Sequence, residues 1–504
     1  MDKRGKYFTK KEYQKSDLPT FQESKDRLPS PVLGENSEWL DMYWKCWELA
    51  FDHLKKPEEN STFVSNFIDE AFNDKIFQWD TIFMIMFARY GHYVFPAINS
   101  LDNFYCRQHE SGYICRELVE KDGSDFVFRG RKNTINPPLF SWAEVESFKN
   151  TGDKSRFEMV LPVLEKYVEW LNRDGDIESA DDPDEWYKYG RRAGESVHKL
   201  FWNTGLGSGM DNTPRGGNGW VDMSSQMVIQ YNNLAEMCHV LDLHDKGVYF
   251  ETEARKIADR INRYCWNDED GLYYDVDTTG NHVKWKTAGC FWPMLAGIAS
   301  KEQQERLVSH LQDTSTFWRK NVFPTLAADQ SLYKENGGYW LGGVWAPTNY
   351  AIIKGLESNG YEELAREASI RYVREMYCVY EKTGTVWENY APDLCSPGDP
   401  AKPDFVGWSG IGPISLLIEN ILGFRVNGVE KSLTWHLTRT DKHGINNLNV
   451  GKTIVSAICE ERESHNSPAS ISVMTDATLK LIVFYHDVER VYELAAGKHT
   501  IVIQ

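Results

Sequence analysis

The sequence of 504 residues lacks the patterns that mark several large classes of protein. No apolar run approaches the ~18 residues of a membrane-spanning helix, so we expect no membrane partner. No cluster of Lys and Arg offsets the net charge of −18. A phosphate backbone would be repelled by such a surface, which argues against a nucleic-acid partner.

Cysteine is present but forms no recognisable motif. The nine residues include no Cys-x-x-Cys pair, so we expect no zinc or redox site, and no other metal or cofactor motif is evident. Their odd number and wide spacing favour reduced, mostly buried thiols. That pattern is typical of a cytoplasmic protein. A periplasmic or secreted location stays open, because a removed signal peptide would leave the same sequence.

Aromatic residues are abundant, with 18 Trp, 25 Tyr and 24 Phe. The simplest interpretation is a large core rich in rings, because each ring buries much apolar area. The alternative is a cleft whose rings stack on sugar faces. Composition alone favours the core, so the position of the rings along the chain has to decide.

Three regions differ in their patterns. Residues 1–36 are polar and contain prolines, which predicts an irregular N-terminal arm. Residues 37–424 carry apolar side chains at helical spacing and predict packed helix pairs. Residues 425–504 hold short β-type runs and predict a small β-sandwich-like domain. The predicted helices lie near 38–55, 76–95, 138–151, 155–172, 223–242, 246–264, 286–299, 301–312, 344–357, 359–379 and 408–423, and the predicted strands are Leu433–Leu437, Thr453–Cys459, Leu479–Tyr485 and Thr500–Ile503.

Three acidic residues lie in segments where a carboxyl group could take part in catalysis or substrate binding. Cleavage of a glycosidic bond needs one carboxyl group that protonates the leaving oxygen and another that activates water or attacks the sugar. Asp211 follows a glycine-rich stretch, where it could equally stabilise a turn. Glu388 is flanked by Trp387 and Tyr390, and rings tend to raise the pKa of a nearby carboxyl. Asp80 lies at the start of an apolar helix, where the helix dipole alone would favour a negative charge.

Five segments, in this order, carry a resemblance to a known group of enzymes. They are Phe77-Gln-Trp-Asp80, Asn136-Pro-Pro-Leu-Phe-Ser141, Gly207-Ser-Gly-Met-Asp-Asn-Thr-Pro-Arg215, Gly342-Gly-Val-Trp-Ala-Pro-Thr-Asn-Tyr350 and Trp387-Glu-Asn-Tyr-Ala-Pro392, the last followed by Gly407-Trp-Ser409. The chain resembles glycoside hydrolases of families 63 and 37, which include α-glucosidases, trehalases and mannosylglycerate hydrolases.

The resemblance implies an (α/α)6 barrel and cleavage of an α-linked glucoside or related α-glycoside with inversion, from the end of an oligosaccharide or small glycoside. Asp211 would be the general acid and Glu388 the general base. Inverting enzymes hold these groups roughly 6.5–9.5 Å apart, so we predict that separation. The other residues expected to bind substrate are Trp79, Asp80, Asn212, Arg215, Trp345, Asn349, Trp387, Tyr390 and Trp408.

The sugar itself stays open. Gly207 stands where the family often has Glu, so a sugar contact is lost or changed. Glucosylglycerate, mannosylglycerate and trehalose are therefore alternative substrates. An (α/α)6 barrel also serves sugar epimerases and non-catalytic sugar-binding proteins. The 13 His avoid the five segments, which argues against an epimerase because that reaction needs bases such as His at the ring.

Overall fold

Helices are the main regular structure between residues 21 and 421. The computed structural model describes residues 4–70, 73–126, 135–172, 191–192, 199–202, 207–217, 219–277, 279–486 and 488–504. The helices are α1 Phe21–Ser24, α2 Trp39–Asp52, α3 Gln78–Ala88, α4 Asp102–Cys106, α5 Phe140–Thr151, α6 Ser155–Leu171, α7 Val221–Val240, α8 His244–Tyr264, α9 Trp292–Leu295, α10 Lys301–Gln312, α11 Ala346–Ser358, α12 Glu362–Thr383 and a π-helix over Gly412–Ile421. In these ranges no helix is both long and apolar enough to cross a membrane.

The helices form two groups that differ in burial. α3 and the π-helix are buried along their whole length, and α5, α7 and α11 are buried at most positions. α6, α8, α10 and α12 alternate with them along the chain and bury mainly one face. α7 packs against α5 and α8, while α11 packs against α9 and α12. A buried helix is thus repeatedly followed by a half-exposed one, as amphipathic spacing in the second group predicts.

Short strand pairs connect the helices, and longer strands follow the π-helix. The strands are β1 Ser30–Leu33, β2 Leu54–Lys55, β3 Phe67–Ile68, β4 Lys75–Phe77, β5 Glu117–Val119, β6 Arg191–Arg192, β7 Phe201–Trp202, β8 Trp266–Asn267, β9 Leu272–Tyr273, β10 Asp275–Val276, β11 His282–Val283, β12 Phe424–Asn427, β13 Ser432–His436, β14 His443–Val450, β15 Thr453–Cys459, β16 Ala469–Thr475, β17 Leu479–Tyr485, β18 Val488–Leu494 and β19 Gly497–Ile503. Four of them coincide with the predicted β-type runs. Their alternating burial explains the match, because one side chain in two faces the core.

Two sheets make up the C-terminal part of the described chain. One has the order β1-β14-β15-β16-β19 and the other β12-β13-β17-β18. β1 comes from the segment 1–36 that the sequence predicts to be irregular, and Ser30 pairs with Asn446. A periodicity of two is hard to detect in a strand of four residues that contains a proline. The limits predicted for the three regions stay a prediction.

The cysteines require a correction. The sequence favoured reduced thiols, whereas Cys378 and Cys395 form a disulfide with Cα atoms 5.9 Å apart. Cys378 lies in α12, and the helix ends where Gly384 takes a left-handed conformation that turns the chain back. The two residues are 17 positions apart in sequence, so nothing in the local spacing indicated the pairing. The other seven cysteines are free.

Candidate active site

A small pocket lies where the buried helices begin. Its volume is about 90 Å³. The residues that line it are Phe77, Trp79, Asp80, Arg116, Asn136, Gly209, Asp211, Tyr339, Trp340, Glu388 and Trp408. Most of them come from α3 or from segments that precede α5, α7, α11 and the π-helix. The structure therefore brings together five residues predicted from sequence, which are Trp79, Asp80, Asp211, Glu388 and Trp408.

Asp80 is placed by a strand pair and the first turn of α3. β4 leads directly into the helix and pairs with β5, so that Phe77 lies opposite Glu117. The backbone N–H of Gln78 donates to the carbonyl of Arg116 over 2.8 Å. Arg116 is thereby fixed at the start of the helix, and its guanidinium pairs with Glu117. Sequence analysis missed Arg116, because only the strand pairing brings it to the pocket.

The loop 207–217 carries Asp211, and its neighbours attach it to the opposite wall. The side chain of Asn212 donates to the carbonyl of Gly338 over 3.1 Å and accepts the backbone N–H of Trp340 over 2.8 Å. Thr213 donates its hydroxyl to the carbonyl of Trp340 over 3.1 Å. The amide of Asn212 holds the two loops together and does not line the pocket, so its predicted contact with sugar stays a prediction.

Arg215 anchors the other end of this loop beneath the pocket. Its guanidinium pairs with Asp222 in two contacts and with Asp275 at 3.3 Å. It also lies over the ring of Trp220, 4.6 Å from the centroid. These contacts fix the loop, and Arg215 does not line the pocket, so its predicted contact with substrate stays a prediction.

Glu388 follows the turn that ends α12 and is held on two sides. Its backbone N–H donates to the carbonyl of Lys402 over 2.9 Å, and the backbone N–H of Lys402 donates to Oε2 of Glu388 over 3.2 Å. The indole of Trp408 donates to the carbonyl of Glu388 over 2.8 Å. Only 6% of Glu388 is exposed, so the carboxyl group has little freedom to move and little water around it.

The three carboxyl groups of the pocket share a low-water environment that disfavours charge. Burial raises the pKa of Asp211 to about 7, against the opposing effect of Arg116. Burial also raises the pKa of Glu388 to about 7, although the N–H of Lys402 stabilises the anion. The pKa of Asp80 is raised well above its usual value, first by burial and then by the charges of Glu388 and Asp211. Such shifts are typical of catalytic acids and bases.

Tyr339 and Trp340 form a wall that sequence analysis missed. Tyr339 has a φ of +66°, which is uncommon for a residue with a Cβ. Burial raises the pKa of its hydroxyl, and the charges of Asp211 and Glu388 raise it further. The only signal in the sequence is an aromatic pair placed between glycines, Gly337-Gly338-Tyr339-Trp340-Leu341-Gly342.

Two tryptophans predicted to bind substrate lie outside the lining, and one of them, Trp345, lies behind this wall. The ring of Trp345 is fully buried and stacks on Trp340 with centroids 3.8 Å apart. Its indole N–H donates to the carbonyl of Tyr339 over 3.1 Å. Trp387 is half-buried, and its indole N–H donates to Thr383 over 3.1 Å. Neither ring lines the pocket, and the predicted contact of these two residues with substrate stays a prediction.

Asn349 and Tyr390 are also outside the lining. The side chain of Asn349 is fully buried in α11, where it accepts the backbone N–H of Phe323 and donates to the carbonyl of Trp345 over 2.9 Å. Tyr390 is 1% exposed, and its hydroxyl accepts the backbone N–H of Trp387 over 3.0 Å. Their polar groups bond within the protein, and the expectation that they bind substrate stays a prediction.

Comparison with known proteins agrees with this geometry. Residues 124–402 match the model of the mannosylglycerate hydrolase MGH1-like glycoside hydrolase domain, which is more than half of the chain. The chain belongs to this glycoside hydrolase family. It is therefore an enzyme that hydrolyses glycosides, and the resemblance seen in the five segments is confirmed.

Individual relatives of this glycoside hydrolase are distant. An uncharacterised protein of Borreliella burgdorferi is 29% identical, over 84% of this chain and 88% of its own length. A mannosyl-oligosaccharide glucosidase of Saccharomyces cerevisiae is 22% identical, over 63% of this chain but 46% of its own length. The family 63 mannosylglycerate hydrolase of Thermus thermophilus, solved with Tris and D-glycerate, has a similar fold, with a TM-score of 0.56 and 15% identity over 74% of this chain and 99% of that one.

Gly209 provides a test of how closely the loop 207–217 of the hydrolase must approach Trp79. Its φ is +73°, and a Cβ at this position would lie 2.8 Å from the Trp79 ring. We expect Gly209→Ala to displace the loop or the ring and to lower kcat/KM by up to about 100-fold.

Steady-state kinetics would measure this effect, with Gly297→Ala as the matched control. Gly297 has a φ of +68° but no atom within 4 Å of the added methyl, so it carries the backbone strain without the clash. Equal kinetics for Gly209→Ala and wild type would contradict the proposed close packing.

The raised pKa of Glu388 predicts a stability effect with a definite sign. The folded protein holds this proton up to about pH 7, whereas an unfolded Glu loses it near its ordinary pKa of 4.5. The folded state therefore binds more protons between these values, and stability falls as pH rises through the window. Glutamine mimics the protonated form and removes the penalty.

We expect Glu388→Gln to raise the free energy of unfolding at pH 8 by up to about 3 kcal/mol, and to have little effect at pH 4. Denaturant unfolding at both pH values checks this expectation. The exposed Glu381→Gln serves as control and should show no such difference. A Glu388→Gln variant that is less stable than wild type at pH 8 would contradict it.

Proposed function

We propose that the protein is an inverting, exo-acting hydrolase of an α-linked glucoside or related α-glycoside, with Asp211 as general acid and Glu388 as general base. The observation that carries the proposal is the convergence of both residues, with Asp80, on one pocket walled by tryptophans. Glycoside cleavage needs a protonated and an ionised carboxyl group on opposite sides of the bond. The predicted separation of roughly 6.5–9.5 Å remains part of the proposal.

The surroundings of the two groups support this division of roles. Glu388 accepts the backbone N–H of Lys402 at Oε2, and the hydroxyl of Tyr339 further lowers its pKa, so local donors favour its anion. At Asp211 burial is the largest effect and favours the protonated form, with a smaller contribution from the charge of Glu117 and against the opposing charge of Arg116. In the proposed reaction Asp211 gives its proton to the leaving oxygen, while Glu388 takes a proton from the attacking water.

We also propose the (α/α)6 barrel as the architecture behind this pocket. Buried helices alternate with half-exposed ones along the chain, as an inner and an outer ring of helices requires. The pocket lies at the N-terminal ends of the buried helices. Its volume of only about 90 Å³ is too small for a chain of sugar units, which supports attack at a chain end. The two C-terminal sheets would form the small β-domain.

Mannosylglycerate, glucosylglycerate and trehalose are the alternative substrates. The Thermus relative crystallised with D-glycerate supports a charged aglycone, and Arg116 at the pocket would suit a carboxylate. A sugar epimerase or a non-catalytic sugar-binding protein is the alternative of another class. The absence of histidine from the described lining residues disfavours the epimerase. We keep a cytoplasmic location as a prediction.

Product NMR on a panel of α-linked glucosides and mannosides tests the proposal. Trehalose, glucosylglycerate and mannosylglycerate belong in the panel, because they separate the alternatives. We expect the sugar released at the attacked carbon to be the β-anomer, which then mutarotates; trehalose should give one β- and one α-glucose, because its leaving glucose keeps the α-configuration. An α-anomer as first product from the glycerate glycosides, or α-glucose alone from trehalose, would indicate retention and overturn the mechanism. Turnover of none of these compounds would overturn the substrate class.

A further inference from the structure

A second and larger cavity lies between the helical part and the C-terminal sheets. Its volume is about 400 Å³, within the usual range for pockets that bind small molecules. It is lined by Glu362, Glu363, Arg366, Glu419, Asn420 and further residues of β12, β13 and β17. It shares no described lining residue with the pocket of Asp211 and Glu388, so it is a separate site.

Flat rings form one wall of this cavity. The rings of His436 and Phe484 are stacked, with centroids 4.6 Å apart and planes at 8°. The next residue along β17, Tyr485, lies 4.1 Å from the ring of His486 and donates its hydroxyl to the carbonyl of His465 over 2.6 Å. These contacts hold the wall in place before any ligand arrives, which reduces the entropic cost of binding.

Two polar side chains of the lining have unused hydrogen-bonding atoms. Asn420 is 4% exposed, and its Oδ1 has no hydrogen-bond partner within the described ranges. The same is true of the Oγ1 atom of Thr438. Water does not reach either atom. Buried polar atoms are normally paired, so a ligand hydroxyl that meets them after a rotation of the side chain would satisfy them.

The charges around the cavity nearly cancel. His436 pairs with Glu362 at 3.2 Å, Glu419 pairs with Arg89 at 2.7 Å, and Arg425 pairs with Glu357. These pairs leave no excess of either sign for an ionic ligand.

Two lining side chains lack an ionic partner among the described residues. They are Arg366 and Glu363, which lie three positions apart at the start of α12 and have opposite charges. A donor and an acceptor of this kind suit neighbouring hydroxyl groups of a neutral ligand better than a phosphate or a metal cation.

We propose that this cavity is an accessory binding site for a neutral polyhydroxylated ligand, a mono- or disaccharide, distinct from the catalytic pocket. The flat wall would contact a sugar face, and the Asn420, Thr438, Glu363 and Arg366 side chains would bond its hydroxyl groups. The proposal does not depend on which α-glycoside the enzyme cleaves, and loss of the accessory site should leave catalysis on a small substrate unchanged.

Histidine-ring NMR of the full chain with D-glucose as probe tests the proposal. His436, His465 and His486 line the cavity, whereas the described lining of the catalytic pocket has no histidine, so these rings report on this site. His465→Gln and His486→Gln assign two of the signals. We expect the three rings to shift and to saturate in the millimolar range, while the other histidines stay unchanged.

Two variants and a control complete the test. Thr438→Val keeps the shape but removes the hydroxyl, and Arg366→Ala removes a side chain without an ionic partner in the described part of the chain. Each should raise the Kd for glucose about three- to tenfold, the effect of one hydrogen bond. Thr500→Val, exposed on β19, should change nothing.

Three outcomes would overturn the proposal. They are the absence of ring shifts with glucose, shifts that are the same in both variants as in wild type, and saturation by inorganic phosphate at lower concentration than by glucose. The last result would show that the cavity selects an anion. Hydrolytic activity measured in parallel keeps this test separate from that of the proposed mechanism.

Discussion

Replacing Asp211 by Asn is expected to lower kcat by about 10²–10⁴-fold on a glycoside with an alkoxide leaving group. Asparagine has nearly the same shape and stays neutral, but it has no acidic proton to give to the leaving oxygen. Burial raises the pKa of Asp211 to about 7, so the wild-type group holds that proton in the acidic and neutral range. Because binding contacts remain, KM should change much less than kcat.

A comparison of substrates with different leaving groups shows whether the loss of kcat is due to acid catalysis. The 2,4-dinitrophenolate group of a 2,4-dinitrophenyl α-glycoside leaves without protonation. Asp211→Asn should therefore recover most of the wild-type rate on this substrate. The exposed Asp52→Asn is the matched control and should behave like wild type on both substrates. If Asp211→Asn retains full turnover of an alkyl glycoside, Asp211 is not the general acid. An equal loss on both substrates would indicate a structural role instead.

The sequence predicted the helices well because their buried faces repeat at helical spacing. Met227, Tyr231, Leu234 and Cys238 follow that spacing, and all four are buried in α7. The pattern reports which positions are buried but not how helices are arranged around an axis. Ser30–Leu33 was missed for a related reason, since its partner β14 lies some four hundred positions away in the chain.

The site was predicted in part. The predicted rings that lie outside the pocket lining have a common physical explanation. The five ordered segments located Asp80, Asp211 and Glu388, although Asp80 and Asp211 each also had a local structural explanation. Motifs could not show whether a neighbouring ring faces the pocket or supports it. Trp345 and Trp340 are stacked, yet only Trp340 lines the pocket of Asp211 and Glu388.

Residues that reach the pocket through long-range contacts or an unusual backbone conformation left little or no signal in the sequence. Arg116 arrives through the pairing of β4 with β5. Tyr339 arrives through a left-handed backbone conformation that its side chain would not suggest. Both depend on tertiary structure, which a local pattern of residues does not contain.

Replacing Glu388 by Gln is the second variant with a large expected effect, and its signature differs from that of Asp211→Asn. Glutamine cannot take a proton from water, so kcat should fall by about 10²–10⁴-fold on every substrate, including the 2,4-dinitrophenyl glycoside. Leaving-group ability is irrelevant to a step in which water is deprotonated. The exposed Glu381→Gln, seven positions earlier, is the matched control.

The dependence of kcat/KM on pH provides an independent readout of the same residue. The base must be ionised, so in wild type the ascending limb should lie near the pKa of Glu388, about 7. The acid must be protonated, so the descending limb should begin near the pKa of Asp211, also about 7, and the optimum is expected to be narrow and close to neutral pH. In Glu388→Gln the ascending limb should disappear while the descending limb remains. A residual profile that keeps its ascending limb would assign the base to another residue. Asp80 would then be the next carboxyl group to test, because it is the third carboxyl group that lines the pocket.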